Sequence, residues 1–171
     1  MNEWRTPYHR YIGAIYRLNA PDSAEVPASA GLFPPGETGP AALVGRYAPP
    51  VRHHVDYALA RRAVLRDLRT GKRARLEVCD AQPELLRAAR NLGERVDADC
   101  PVCGAESLVL VSYVYGDGLR RANGRCIETA AELAELGATC EEFSRYVVEV
   151  CVDCRWNHLQ RRELHGRRHA V

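Results

Sequence analysis

Two Cys-x-x-Cys pairs, Cys100-Pro-Val-Cys103 and Cys151-Val-Asp-Cys154, stand 47 residues apart with no histidine between them. A two-residue spacer lets both sulfurs of a pair reach one ion from a single tight turn, and four soft ligands in a tetrahedron are what Zn2+ prefers. Each pair is therefore one knuckle, and the sequence predicts one four-thiolate zinc site at Cys100, Cys103, Cys151 and Cys154. A site built wholly from protein thiolates leaves no coordination position for water or substrate. It points to a structural metal rather than a catalytic one.

The rest of the chain suits that reading. It has 171 residues, 46% hydrophobic and 27% charged, which is ordinary globular chemistry for one compact domain with appendages. No stretch approaches the roughly 20 apolar residues of a membrane-spanning helix, and Met1 to Leu18 lacks the basic start and apolar run of a secretory signal. The expectation is a cytoplasmic protein without membrane insertion, whose cysteines stay reduced and bind metal before they form disulfides. The three other cysteines, Cys79, Cys126 and Cys140, then read as buried or half-buried small hydrophobes rather than redox groups.

Charge falls in blocks. Arg52 to Arg75 carries eight basic residues against two acids, Leu76 to Cys154 fifteen acids against seven arginines, and Arg155 to Val171 five arginines against one acid. Two basic flanks around an acidic middle suit a polyanion site, or else pair with the middle inside the fold. A single lysine, Lys72, beside twenty-three arginines reads as genome composition more than as function.

Residues 1–51 form an N-terminal extension. Residues 19–51 hold seven of the ten prolines, the composition of a disordered linker. Trp4, Tyr8, Tyr11, Ile12 and Ile15 share one face of a short helix before it, which suits either a partner or a fold-back onto the domain. A helical region is expected over 52–95. One amphipathic helix runs from Asp56 to Thr70 with Arg61, Arg62, Arg66 and Arg69 on its polar face. A second is capped by Asp80, opened by Pro83 and ended by Gly93, with Leu85, Leu86, Ala89 and Leu92 buried. Over 96–166 the strand-like runs Leu108–Tyr115 and Tyr146–Val150 lead out of one knuckle and into the other, and Asn157–Leu164 suits a third strand. Between them Thr129 opens a helix over Ala130–Leu136 with a capping box to Glu132. Residues 167–171 are a basic tail. The fold class is α+β: a zinc-ribbon-like antiparallel sheet with preceding helices, an inserted helix and a disordered N-terminal extension.

Enzyme chemistries built on Cys-x-x-Cys do not fit. A zinc nucleobase deaminase needs His-x-Glu upstream, and neither His9 nor His53 nor His54 stands in one. His-Asn-His nucleases carry histidines between their Cys pairs, where this chain has none, and a thioredoxin-like dithiol uses a single pair. No nucleophile and base can be assembled, so no catalytic residue is expected. Trp156, Asn157 and His158, directly after the second knuckle, suit either base stacking with polar readout or packing over the metal site.

Val55-Asp-Tyr-Ala-Leu59, Glu77-Val-Cys-Asp-Ala81, Leu85-Leu-Arg-Ala-Ala89, Cys100-Pro-Val-Cys103, Val114-Tyr-Gly116 and the run from Glu149 to Leu159 resemble an actinobacterial family of small four-cysteine proteins, described only as a domain of unknown function. The resemblance spans roughly residues 52–166 and implies a cytoplasmic four-cysteine protein, without implying an activity. The sequence thus predicts a non-enzymatic zinc protein that binds nucleic acid or the transcription or translation machinery. Its contacts would come from Arg61, Arg62, Arg66 and Arg69 on the helix and from Arg155, Trp156, Asn157, His158, Arg161 and Arg162 near the tail. The alternative is a protein–protein adaptor that uses the acidic Glu132, Glu135, Glu141 and Glu142 and the aromatic N-terminal helix.

Overall fold

The computed structural model describes residue 51 and residues 53–167. The N-terminal helix, the proline-rich linker and the end of the basic tail lie outside them. The elements are β1 (His53–Asp56), α1 (Ala58–Arg69), α2 (Arg75–Val78), α3 (Pro83–Leu92), β2 (Glu94–Arg95), β3 (Leu108–Tyr115), a 3-10 segment (Asp117–Ala122), β4 (Cys126–Ile127), α4 (Ala130–Thr139), β5 (Phe143–Cys151) and β6 (Asn157–His165). The fold is α+β with one antiparallel sheet in the order β1-β6-β5-β3-β2, and β4 also pairs with β3.

The β-branched and aromatic run of β3 pairs with β5 over its whole length, from Leu108 opposite Cys151 to Tyr115 opposite Ser144. That register brings the end of β5, where the second Cys pair begins, beside the start of β3. Side chains alternate across a strand, so each face carries its own cluster. On one face, Val109, Val111, Val148, Val150 and Leu159 pack against Ala81, Leu85, Leu86 and Ala89 of α3 and its entry. On the other, Val114, Ile127 and Phe143 meet Leu119, Leu133 and Cys140 at the end remote from the cysteines. Val64, Val78, Leu108 and Trp156 close around Cys100 and Cys151 at the near end.

The helical region over 52–95 and the sheet region over 96–166 share this sheet and core. β1 pairs with β6 and β2 with β3, and α3 alone would have left its apolar stripe exposed. The tertiary packing also sets the helix ends. Asp80 does not cap α3, whose N-cap is Gln82; its Oδ1 instead accepts the Asn157 amide at 2.9 Å. Gly93 ends α3 because a Cβ there would lie 2.3 Å from the Ala89 carbonyl oxygen and 2.8 Å from Val109 Cγ2. Thr129 does cap α4, accepting the Glu132 amide at 3.1 Å, and that helix runs on to Thr139.

Candidate metal centre

The two Cys pairs fold alike. Gly104 N donates to Cys100 O and Cys100 N to Ala105 O, both at 2.9 Å; in the second pair Arg155 N donates to Cys151 O at 3.1 Å and Cys151 N to Trp156 O at 2.9 Å. The residue after each pair has positive φ, +73° at Gly104 and +69° at Arg155. Glycine enters that region freely, whereas arginine does so at some cost. Its guanidinium is held by the Ala81 carbonyl, which accepts from Nε at 3.2 Å and Nη2 at 2.8 Å.

The four Sγ atoms lie within 4.8 Å of one another. Cys100 to Cys154 is 3.6 Å and Cys103 to Cys151 is 3.7 Å. A disulfide needs about 2.05 Å between sulfurs. A tetrahedron with metal–sulfur distances of about 2.3 Å has edges of about 3.8 Å. The donor set thus fits a thiolate-bound ion and fits no disulfide. Around it, Ser107 Oγ lies 3.1 Å from Cys151 Sγ, and the Cys154 amide donates to the same sulfur at 3.4 Å. Burial opposes ionisation of Cys151, but the hydrogen bonds from Ser107 and from the Cys154 and Asp153 amides prevail and bring its thiol down to about 7. Burial pushes Cys100 up to about 11 and raises Cys154 as well. Without a bound cation, then, these sulfurs do not all ionise near neutrality. A cation held there would supply the charge that deprotonates them together.

A fifth sulfur stands beside the four. Cys79, at the C-cap of α2, lies with its Sγ 3.8 Å from Cys154 Sγ. The Arg75 guanidinium is held above its ordinary value, chiefly by hydrogen bonding to Cys79. Cys79 is half-buried and packs on the Trp156 cluster, as a small hydrophobe there would, and its place in the Glu77–Ala81 motif sets it beside the second knuckle. That motif packs on the second knuckle throughout. Val78 joins the Trp156 cluster, Ala81 N donates to Arg155 O at 3.0 Å, and Asp80 holds Asn157. The space left among Val64, Glu77, Asp80, Trp156 and Asn157 is about 10 Å³, room for about one water and no substrate.

Of the ten residues expected to bind nucleic acid or a partner, Trp156, Asn157 and His158 are buried and Arg61 is half-buried. Trp156 and His158 are 0% exposed and stack on each other at 5.9 Å, and Asn157 is buried, so none offers a surface for base readout. A buried carboxylate holds Trp156 and Arg61 inward. Glu149 on β5 accepts Trp156 Nε1 at 2.6 Å, Arg61 Nε at 3.1 Å and Nη2 at 2.9 Å, and the Gln160 amide. Arg61 is thus on the core side of α1, not on the polar face with its neighbours. The helical period already sets it beside Leu65 and Leu68. Arg161 bonds Glu163 at 2.6 Å, and Arg162 lies over the Tyr146 ring and donates to Ser144. Arg155 is exposed but bound to Ala81. Arg62, Arg66 and Arg69 are exposed along α1.

Fold and centre together define a small α+β protein organised around a four-cysteine cluster able to hold a metal ion. The chain belongs to the family of unknown function DUF5318, whose model matches residues 49–171. Over 105 residues it is 46% identical to the uncharacterized protein Rv0049 of Mycobacterium tuberculosis (strain ATCC 25618 / H37Rv), covering 61% of this chain and 76% of the relative. The same identity and coverage hold for the uncharacterized protein Mb0050 of Mycobacterium bovis. No solved structure matches. Among the described residues no helix is long and apolar enough to cross a membrane.

Proposed function

We infer that the chain is a non-enzymatic binding protein of the cytoplasm, with a zinc-ribbon-like core stapled by Zn2+ at Cys100, Cys103, Cys151 and Cys154, that attaches to nucleic acid or to the nucleic-acid machinery of transcription or translation. Zinc is the ion that four thiolates in a closed tetrahedron suit best, and such a site supplies folding energy rather than a reaction centre. The carrying observation for attachment is the stripe Arg62, Arg66 and Arg69, exposed on one side of α1 and continued by exposed Lys72 and Arg75. At about 100° per residue the three arginines fall within about 60° of the helix circumference, a row of cations spaced to meet successive phosphates.

Titrating the zinc-loaded full chain into labelled single- and double-stranded RNA and DNA at several salt concentrations tests this reading. The log–log slope is expected to be roughly 0.7 to 0.9 per phosphate contact, and to shrink when Arg62, Arg66 and Arg69 are replaced by alanine. A flat salt response, or an unchanged slope in the triple variant, contradicts direct nucleic-acid binding.

A second reading, a protein–protein adaptor, draws support from Leu59 and Leu76, which are 75% and 86% exposed. Leu59 shares the arginine side of α1, so the same surface offers an apolar contact. Of the acidic residues expected to serve such a role, Glu132 is engaged by Arg125 and by the start of α4, while Glu135, Glu141 and Glu142 are exposed. Partners that stay bound after nuclease treatment favour this reading.

A further inference from the structure

Five cysteine sulfurs converge at the metal end, and a tetrahedral ion takes four. Cys79 is the fifth. Its Sγ is in contact with Cys154 Sγ at 3.8 Å, and both residues are half-buried. The remaining cysteines are elsewhere: Cys140 packs in the cluster around Phe143, and Cys126 borders the α3 cluster. Ion-bound thiolates share their electron density with the metal. Cys79 alone in this group keeps a sulfur whose reaction does not first require displacing the ion.

We propose that Cys79 is an oxidative modification site that takes a peroxide and passes the oxidation to Cys154 as a disulfide, opening the metal centre. In the first step the Cys79 thiol attacks the peroxide O–O bond. A sulfur–oxygen bond forms as the O–O bond breaks, the thiol proton passes to the departing oxygen to give water or an alcohol, and Cys79 becomes a sulfenic acid, oxidised by two electrons. In the second, the Cys154 sulfur leaves the ion and attacks the Cys79 sulfur. The S–S bond forms, the S–O bond breaks, and hydroxide departs to take a proton from solvent. The ion is left with the three thiolates of Cys100, Cys103 and Cys151, and the knuckle of Cys151–Arg155 is tied to α2 instead. The chemistry rests on the four-thiolate metal reading for its consequence, but not for the pairing of the two sulfurs.

The test treats the reduced, zinc-loaded full chain with hydrogen peroxide. Released zinc is followed with a chromogenic chelator, and disulfides are mapped by non-reducing peptide mass spectrometry. A Cys79–Cys154 peptide should dominate and appear with the released zinc. Cys79→Ser should still bind zinc and release it severalfold more slowly, while Cys126→Ser should match the wild type. Predominant Cys103–Cys151 or Cys100–Cys154 linkage overturns the proposal, as does equal release by wild type and Cys79→Ser. The mapping in the wild-type chain decides the matter even if Cys79→Ser does not fold. Zinc content before oxidation separates the two claims. A metal-free chain that forms the Cys79–Cys154 bond supports the pairing and contradicts the zinc centre. A zinc-loaded chain that never forms it contradicts the pairing alone.

Discussion

Glu149 shows how one side chain decides what its neighbours can do. Its carboxylate is 5% exposed and gathers Arg61, Trp156 and Gln160, so three groups that would suit a binding surface become internal ties between α1, β5 and β6. A buried pair is weak evidence for net stability, but removing one member leaves the other uncompensated. Glu149→Ala should therefore lower unfolding free energy by about 3 kcal/mol or more, read by urea denaturation, and should couple to Arg61→Ala in a double-mutant cycle. His158, beside it, is fully buried with neither ring nitrogen hydrogen-bonded, and burial draws its pKa down to about 4. The unfolded imidazole takes a proton near 6.5 and the folded one does not. Stability from His158 is thus whole above pH 6.5 and lost as pH falls toward 4, by about 3 kcal/mol. Burial opposes ionisation of Glu163, yet His165, Arg145 and Arg161 hold its carboxyl down to about 2, so its contribution is lost between about pH 4.5 and 2. Urea midpoints measured against pH should fall in both windows, and His158→Phe should flatten the upper one while leaving the lower.

Elements carry the next level of the account. α3 is fixed to the sheet at close range through Ala89 and Gly93, and Leu86 is 8% exposed against Val109 and its neighbours. Leu86→Ala should cost about 2–5 kcal/mol. Gly93→Ala should also destabilise, because its Cβ would meet backbone and a β-branched side chain. A capping change at Thr129→Ala should cost only about 1 kcal/mol. Thermal or urea unfolding ranks the three. The longer elements were legible because periodicity and caps are local: β3, α1, the start of α4 and most of β6 stand where the sequence set them. β1, β2 and β4 have four residues or fewer, and nothing in such short runs distinguishes a strand before its partner is known. The four-cysteine cluster was legible for the same local reason, since a two-residue spacer sets both sulfurs of a pair on one turn. The roles of Cys79 and Trp156 were not, and for Arg61 the helical period showed the face without the partner. What each does depends on a residue more than seventy positions away for Cys79 and Arg61, and on the burial of Glu149 for Trp156.

At the scale of the whole molecule, the sheet brings the two knuckles together and the cluster in turn ties α2 and β6 to the sheet end. With zinc at the cluster, as proposed, metal binding and folding of that end would be one equilibrium, so a strong chelator should lower the unfolding midpoint and restoring zinc should recover it. The double variant Cys103→Ser with Cys154→Ser should lose both the metal and the native near-ultraviolet signal of Trp156, which packs with Cys100 and Cys151. The most direct measurement is native mass spectrometry of the chain purified under reducing conditions, with X-ray absorption at the bound metal. One zinc per chain with four sulfur neighbours near 2.3 Å is the expected result. A chain that folds to the same stability without metal, or that joins these cysteines in disulfides, would contradict the account.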